Sequence, residues 1–270
     1  MDEALSNGAG RFYKMQNEKQ VSKVHSLKQA RCSTCGLSSL CLPVSLNMTE
    51  MERLDSIIDK SRPLKKGEHL FRQGDKFSSV YAIRAGSVKI YTLTDLGDEQ
   101  ITGFFFPGDL VGLSAYDTSI YPVSAKILET TTVCEIPFQR LDELSSHMPE
   151  LRRQILKTMS REICNDQQMM MLLAKKSAEQ RVASFLLKLS QRFQERGYSA
   201  SYFRLSMSRS EIGNYLGLAV ETISRVFTRF QSLGLISVDG KEVNILNGIK
   251  LHEHSGELKE NEYSCANHFS

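Results

Sequence analysis

Between residues 64 and 138 the apolar residues come in short runs cut by turn signals: HLF before RQGD, VYAIRAG, SVKIYTL before TDLGDEQ, ITGFFFPGDLVG, and TTTVCEIPF. Gly67, Gly74, Gly86, Gly97, Gly103, Gly108 and Gly112 punctuate them. This pattern predicts the strands of a compact antiparallel roll or barrel. From Pro149 the period becomes helical, and a proline suits the first helical turn because its missing N–H would have no partner there. Arg152, Leu156, Met159, Ile163, Asp166, Met170 and Leu173 follow at alternating steps of four and three. Such an a/d seam predicts a helix that pairs with a copy of itself. An amphipathic helix packed on its own β domain is the competing reading. Asp166 is a poor core residue but an intelligible part of a regulated contact. In a parallel dimer two carboxylates would meet across the seam and disfavour association, so a weak dimer is expected.

A second helical region starts near Ser177 and stops at ERGYSAS. Beyond it, SRSEIGNYLGLAVETISRVFTRFQSLGLI places Ile212, Leu216, Leu218, Ile223 and Val226 at the spacing that packs two short helices together. Gly213 is small where they approach, and Gly217 sits at the turn, where positive φ costs glycine least. These features predict a helix-turn-helix with Ser208 as N-cap and residues 220 to 232 as recognition helix. Glu221, Thr222, Ser224, Arg225, Thr228 and Arg229 lie off its apolar side. Glutamate can accept from cytosine N4 and arginine can grip guanine O6 and N7, so Glu221 and Arg225 are the candidate base readers, with Ser224 beside them. Alternation around Asp239-Gly240 in ISVDGKEVNIL adds a hairpin wing.

Composition changes this picture little: 41% hydrophobic residues and a net charge of +3 fit an ordinary globular chain. The charge becomes informative locally, because Arg204, Arg209, Arg225, Arg229 and Lys241 gather where phosphates would be neutralised. The polar opening segment lacks the apolar run of a signal peptide, and no stretch reaches the roughly 18 apolar residues of a spanning helix; a cytoplasmic location and no membrane partner are expected. The full expectation is an α+β chain: a flexible tail (1–30), a cysteine loop (31–46), an N-terminal β-roll of the jelly-roll, cyclic-nucleotide-binding-like kind (47–147), a long dimerisation helix (148–176), a winged helix-turn-helix (177–250) and a second flexible tail (251–270).

The candidate chemistry lies in RCSTCGLSSLC, which holds Cys32, Cys35 and Cys41. In a reducing compartment a cluster this tight points to a metal. No second C-x2-C pair and no zinc-finger histidine spacing accompany it. Thiolates at irregular spacing also suit an iron–sulfur cluster, whose fourth ligand would be Cys134, Cys164 or Cys265. Spacing leaves that choice open. Three readings compete: an iron–sulfur regulator, a constitutive or redox-responsive DNA-binding regulator with a zinc site, and an electron-transfer iron–sulfur protein. The last lacks the ferredoxin cysteine run and leaves the helix-turn-helix unexplained. No triad or phosphate-loop pattern argues for an enzyme.

The stretches CSTCGLSSLC, LDSIIDKSRPLKKGEHLFRQGD, GDEQITGFFFPGDLVG, LETTTVCEIPF and EIGNYLGLAVETISRVFTRFQ, in that order, resemble the oxygen-responsive FNR branch of the CRP/FNR transcription factor family, especially its ANR-type members. The resemblance runs from about residue 30 to 250. It implies a [4Fe–4S] cluster on Cys32, Cys35, Cys41 and Cys134, present without oxygen, that promotes dimerisation. Oxygen would convert the cluster and release DNA. It further implies that Glu221, Ser224 and Arg225 read TTGAT-N4-ATCAA-like sites, with Thr222, Arg209 and Arg229 nearby, to regulate genes of anaerobic metabolism. The turn around Leu93, Gly97 and Asp98 resembles a family surface that touches RNA polymerase. Small residues in the cysteine loop (Ser33, Thr34, Gly36, Ser38, Ser39) suggest little shielding of the cluster. The cyclic-AMP branch of the superfamily grips a phosphate with an arginine-serine pair. The corresponding GDLVGLSAYDTSIYPVSA has no arginine, so no cyclic nucleotide is expected. Cys164 and Cys265 find no counterpart.

Overall fold

The structure is a computed structural model and describes residues 31–256. The tail expected over 1–30, most of that expected over 251–270, and Cys265 lie outside these residues. Eight strands form the roll: β1 (Asp59–Lys60), β2 (His69–Phe71), β3 (Ser79–Ala85), β4 (Val88–Leu93), β5 (Glu99–Phe105), β6 (Leu110–Val111), β7 (Ser124–Ile127) and β8 (Thr132–Pro137). They make two antiparallel sheets, ordered β1-β8-β3-β6 and β2-β7-β4-β5. Phe71, Tyr81, Ile83, Val88, Ile127 and Val133 fill the space between them.

Strand β3 shows why VYAIRAG is a continuous apolar run. Successive side chains point to opposite faces. Tyr81 and Ile83 face the inter-sheet core, whereas Val80 and Ala82 face a second core beneath the cysteine loop. That second core adds Leu54 of α1 (Met48–Ser56), Leu141 of α2 (Phe138–His147) and Leu151 of α3 (Pro149–Lys175). Asn47 caps α1 with a reciprocal capping box through Glu50. Pro149 occupies the first turn of α3. No helix among the described residues is long and apolar enough to cross a membrane.

The C-terminal unit comprises α4 (Ala178–Glu195), β9 (Tyr202–Arg204), α5 (Arg209–Leu216), α6 (Val220–Ser232), β10 (Ile236–Asp239), β11 (Glu242–Ile245) and α7 (Gly248–Ser255). Ser177 and Ser208 cap α4 and α5 with capping boxes. A Cβ on Gly213 would stand 2.6 Å from the Leu218 carbonyl oxygen, so only glycine lets α5 approach the turn this closely. Gly217 closes α5 at φ +63°. The wing turns at Gly240, and β9 adds a third strand that the sequence pattern did not announce. The chain also stays helical past residue 250, where a tail was expected. Leu251 of α7 is completely buried in the same core as Val182 and Phe230, and that apolar anchor holds the last turns.

The two units are joined by a polar seam. Asn214 on α5 pairs its side-chain amide with the free edge of β5: Ile101 N–H donates to Oδ1 (2.6 Å) and Nδ2 donates to the Glu99 carbonyl (2.7 Å). An edge strand presents unpaired backbone groups, and this amide satisfies two of them. Lys89 of β4 is only 6% exposed, yet its ammonium meets Glu99 at 2.9 Å and Glu211 at 3.2 Å. Burial works against its charge, but the two carboxylates hold its pKa above the ordinary lysine value.

Two stability predictions follow from these contacts. Asn214→Leu leaves the Ile101 N–H and Glu99 carbonyl unpaired and should cost about 1–3 kcal/mol in denaturant unfolding; an unchanged midpoint would show the seam to be idle. On α3, Glu162 is pushed up to about 7 by burial first, then by Asp166 and Asp109. A carboxyl with a raised folded-state pKa favours folding at low pH, and that stability is lost as pH rises through 7. Glu162→Gln should therefore raise the melting temperature at pH 8 and lose that advantage near pH 5. Equal effects at both pH values would contradict the burial assigned to this carboxyl.

Candidate metal centre and DNA-reading face

The cysteine loop is a chain of tight turns. A 3-10 turn spans Cys32–Thr34, Cys35 N–H donates to the Cys32 carbonyl (3.3 Å), and Cys41 N–H donates to the Leu37 carbonyl (3.0 Å). A second 3-10 turn, Leu42–Ser45, starts with Pro43 near its N-terminus. These turns fold Cys32, Cys35 and Cys41 over β8, where Cys134 lies opposite Ala82 of β3. All four cysteines, none of them in a disulfide, line one cavity of about 40 Å³, walled by Leu37, Leu42, Leu54, Ile58 and Ile136. Of the three cysteines that spacing left open, the structure brings the strand cysteine, Cys134, to the other three. Cys164 lies in α3, away from this lining.

The thiols act on one another. Cys32 is pushed up to about 12 by burial, then by the Asp55 carboxylate and by Cys134 and Cys35. Its backbone N–H donates to Asp55 (3.2 Å). Cys41 is also pushed up to about 12, again mainly by burial, against a favourable Leu42 N–H. Burial thus disfavours the thiolate forms of Cys32 and Cys41, and a bound cation would repay their ionisation, since a coordinating thiol is deprotonated by its metal. Among the described residues, no group of three or more His, Cys, Asp or Glu side chains is set to hold a single metal ion. Ser33, Thr34, Gly36 and Ser39 are exposed, but all four cysteines are half-buried behind them because the loop packs down on Leu54 and Ile136.

The loop also touches α3 directly. Ser45 Oγ accepts from Gln154 Nε2 at 2.7 Å, and Leu42 and Leu46 share a core with Met148 and Leu151. Along α3, Leu156, Ile163 and Met170 are 59%, 58% and 63% exposed, and Arg152 and Asp166 are exposed too. Met159 instead half-buries against the cysteine-side core. Partial burial raises the pKa of Asp166, opposed by Lys188 of α4.

On α6, Ile223, Val226, Phe227 and Phe230 are buried, and Glu221, Ser224, Arg225, Thr228 and Arg229 are exposed, while Thr222 is half-buried. Ser224 donates back to the Val220 carbonyl (3.0 Å). The side chains of Glu221 and Arg225 make no hydrogen bond or ion pair among the described residues. The other expected cations are engaged: Arg209 stacks 3.6 Å over the Phe227 ring, Arg229 pairs with Glu179 at 2.9 Å, and Lys241 donates to the Ser206 carbonyl at 2.7 Å. Leu93, Gly97 and Asp98 fall on the β4–β5 turn, where Gly97 adopts φ +84° and Leu96 is 90% exposed. The sequence reading missed Lys89, Asn214 and Asp109, whose partners lie far along the chain.

Comparison with known proteins places these features. Residues 61–147 match the cyclic nucleotide-binding domain family and residues 180–253 the Crp-like helix-turn-helix domain family. The chain is 64% identical over 232 residues to the transcriptional activator protein anr of Pseudomonas aeruginosa, covering 86% of this chain and 95% of that one. It is 51% identical over 228 residues to the fumarate and nitrate reduction regulatory protein of Escherichia coli, covering 84% and 91%. The structure of FixK2 from Bradyrhizobium japonicum superposes with a TM-score of 0.69 at 27% identity, covering 75% of this chain and 99% of that one. The α+β architecture of roll, long helix and helix-turn-helix and the identity to activators agree: the chain is not an enzyme, and it belongs to the FNR/ANR branch of the CRP/FNR family of transcriptional regulators.

Proposed function

We propose that the chain is a cytoplasmic, oxygen-responsive regulator that holds a [4Fe–4S] cluster on Cys32, Cys35, Cys41 and Cys134, pairs with a second copy through α3, and reads TTGAT-N4-ATCAA-like DNA at promoters of anaerobic metabolism. The observation that carries this reading is the convergence of four thiols on one apolar-walled cavity whose loop rests on α3. An all-cysteine donor set suits iron–sulfur chemistry. When bound, the cluster supplies reactivity toward molecular oxygen.

The protein's part is to hold the thiols and convert their occupancy into a change at α3. Four ligands would tie residues 32–41 to β8. Without that tie, apolar contacts of Leu42 and Leu46 and the Ser45–Gln154 hydrogen bond remain to hold the loop on α3. The seam is finely balanced, because exposed Leu156, Ile163 and Met170 favour pairing while Asp166 opposes it. A small contribution from the loop can then decide between monomer and dimer. On DNA, Glu221 and Arg225 stand free to meet base edges, with Ser224 between them. Thr222, Arg209 and Arg229 would serve the phosphates, Arg209 and Arg229 after leaving or extending their intramolecular contacts. The β4–β5 turn with Leu93, Gly97 and Asp98 would touch RNA polymerase. No cyclic nucleotide is part of this reading, supported by the roll interior, where Phe71 stacks on Tyr121 at 3.8 Å and the Tyr121 hydroxyl donates to the Ser79 carbonyl at 2.6 Å.

The deciding experiment measures affinity for a TTGAT-N4-ATCAA duplex with protein purified without oxygen and again after brief air exposure. Tight binding lost in air, with iron and acid-labile sulfide present beforehand, is expected, and Cys134→Ser should abolish iron uptake while leaving the far-ultraviolet spectrum intact. Air-insensitive binding with zinc in the protein would leave a constitutive DNA reader. Separately, Arg225→Ala should weaken binding by about 1–3 kcal/mol and relax preference at one base position. A loss spread equally over all sequences would assign Arg225 to phosphates instead.

A further inference from the structure

Among the contacts that join roll and reader, one also touches the cysteine loop. The Phe106–Asp109 turn links β5 to β6. Its side facing β3 is stapled to the cavity wall: Gly108 N–H donates to the Ile83 carbonyl (2.8 Å), and Ile83 N–H donates to the Asp109 carbonyl (2.9 Å). Gly108, at φ +94°, lies against Leu40, the residue before Cys41. A Cβ there would stand 2.9 Å from the Leu40 Cβ. Its other side faces α4. The Asp109 carboxylate is gripped by Arg192 and by Arg196 (2.7 Å). The same arginines hold the backbone here, Arg192 donating to the Phe104 carbonyl at the end of β5 (2.8 Å) and Arg196 to the Pro107 carbonyl in the turn (2.7 Å).

This is more than a surface ion pair. The Arg196 side chain is 4% exposed, and burial is the main influence lowering its pKa, opposed by Asp109. Asp109 also accepts from its own Phe106 N–H (2.7 Å), so carboxylate, turn and both guanidinium groups are locked as one unit. Fork-shaped guanidinium groups bonded to a carboxylate and to carbonyls fix direction as well as distance. A displacement of Leu40 therefore reaches α4 through a single rigid turn.

We propose that Asp109, with Arg192 and Arg196, is a coupling joint. It carries the state of the cysteine loop to the DNA-reading unit within one protomer, independently of pairing through α3. Asp109 is a positioning residue: it touches neither the cysteines nor DNA, and acts by setting the angle of α4, on which α6 packs. The joint rests on the cluster reading for the identity of the signal, but not for the mechanical path.

The test uses the full chain, anaerobically reconstituted with iron and sulfide, and the same protein stripped of iron. Iron content, sedimentation and affinity for the TTGAT-N4-ATCAA duplex are measured for wild type, Asp109→Asn, Arg196→Met and the conservative Asp109→Glu. Expected are wild-type iron content and dimer fraction, with the ratio of loaded to stripped affinity falling at least tenfold in Asp109→Asn and Arg196→Met and partly restored in Asp109→Glu. Equal weakening of both states, or an unchanged ratio, would mark the contact as a mere staple and overturn the proposal.

A second measurement needs no cluster. Energy-transfer probes are placed at exposed Ser114 and Ser232 through non-cysteine chemistry, and labelled chains are diluted into unlabelled ones so that only pairs within a chain report. Leu40→Ala should shift the transfer efficiency in the wild-type background and have no further effect on Asp109→Asn. An efficiency unmoved by either variant sinks the joint even if wild type loads iron normally. Failure of wild type to take up iron would sink the cluster reading alone, leaving the energy-transfer result to judge the joint.

Discussion

Strand β3 is the constraint on which the remaining structure depends. Its backbone pairs with β8, which carries Cys134, and with β6, while its Ile83 also holds the Phe106–Asp109 turn. Its side chains divide between two cores, Tyr81 and Ile83 into the roll and Val80 and Ala82 under the cysteine loop and α3. A strand buried on both faces cannot slip register without moving apolar groups in both cores. The cysteine cavity thus has one rigid wall. On the other side of the cavity lies a loop of short turns.

What was legible in the sequence had local chemistry behind it. The helix-turn-helix was readable because Ser208, Gly213 and Gly217 each answer a local demand, a cap, a close approach and a positive φ, within ten residues. The roll was readable because alternating runs and glycine turns repeat. Short β9 and α7 were not, since three strand residues and one buried Leu251 give too little periodicity to detect. Among site residues, Cys32, Cys35 and Cys41 announced themselves by spacing. Cys134 is a lone strand cysteine, and only resemblance or a structure brings it to the others. Lys89, Asn214 and Asp109 looked like ordinary polar residues, because their partners across the junction, Glu211, Ile101 and Arg192, lie 83 to 122 positions away along the chain.

Charge organises the junction between the units as hydrophobicity organises the cores. Lys89 sits between two carboxylates and Asp109 between two guanidinium groups, so each buried charge is compensated across the boundary. Removing one partner of such a pair costs far more than the pair itself contributes, which makes the arrangement specific even where it is not strongly stabilising. Glu162 is the counterexample. Burial, Asp166 and Asp109 all push it toward its neutral form. That placement puts on α3 a carboxyl whose anion burial disfavours.

A marginal helix is what a switch requires. Driving a two-state equilibrium from 1:99 to 99:1 takes about 5.5 kcal/mol of differential binding. Fully burying one leucine or isoleucine gives roughly 1.5–3 kcal/mol. Exposed Leu156, Ile163 and Met170 on each of two helices could supply that range and more, so an unopposed seam would pair permanently and ignore any signal. On the proposed function, Asp166 on the seam and Glu162 beside it would bring the balance back toward zero, where a cluster tying the cysteine loop to β8 would be enough to tip it. The acidic residues that look like flaws in α3 are, on this argument, what makes the four cysteines consequential.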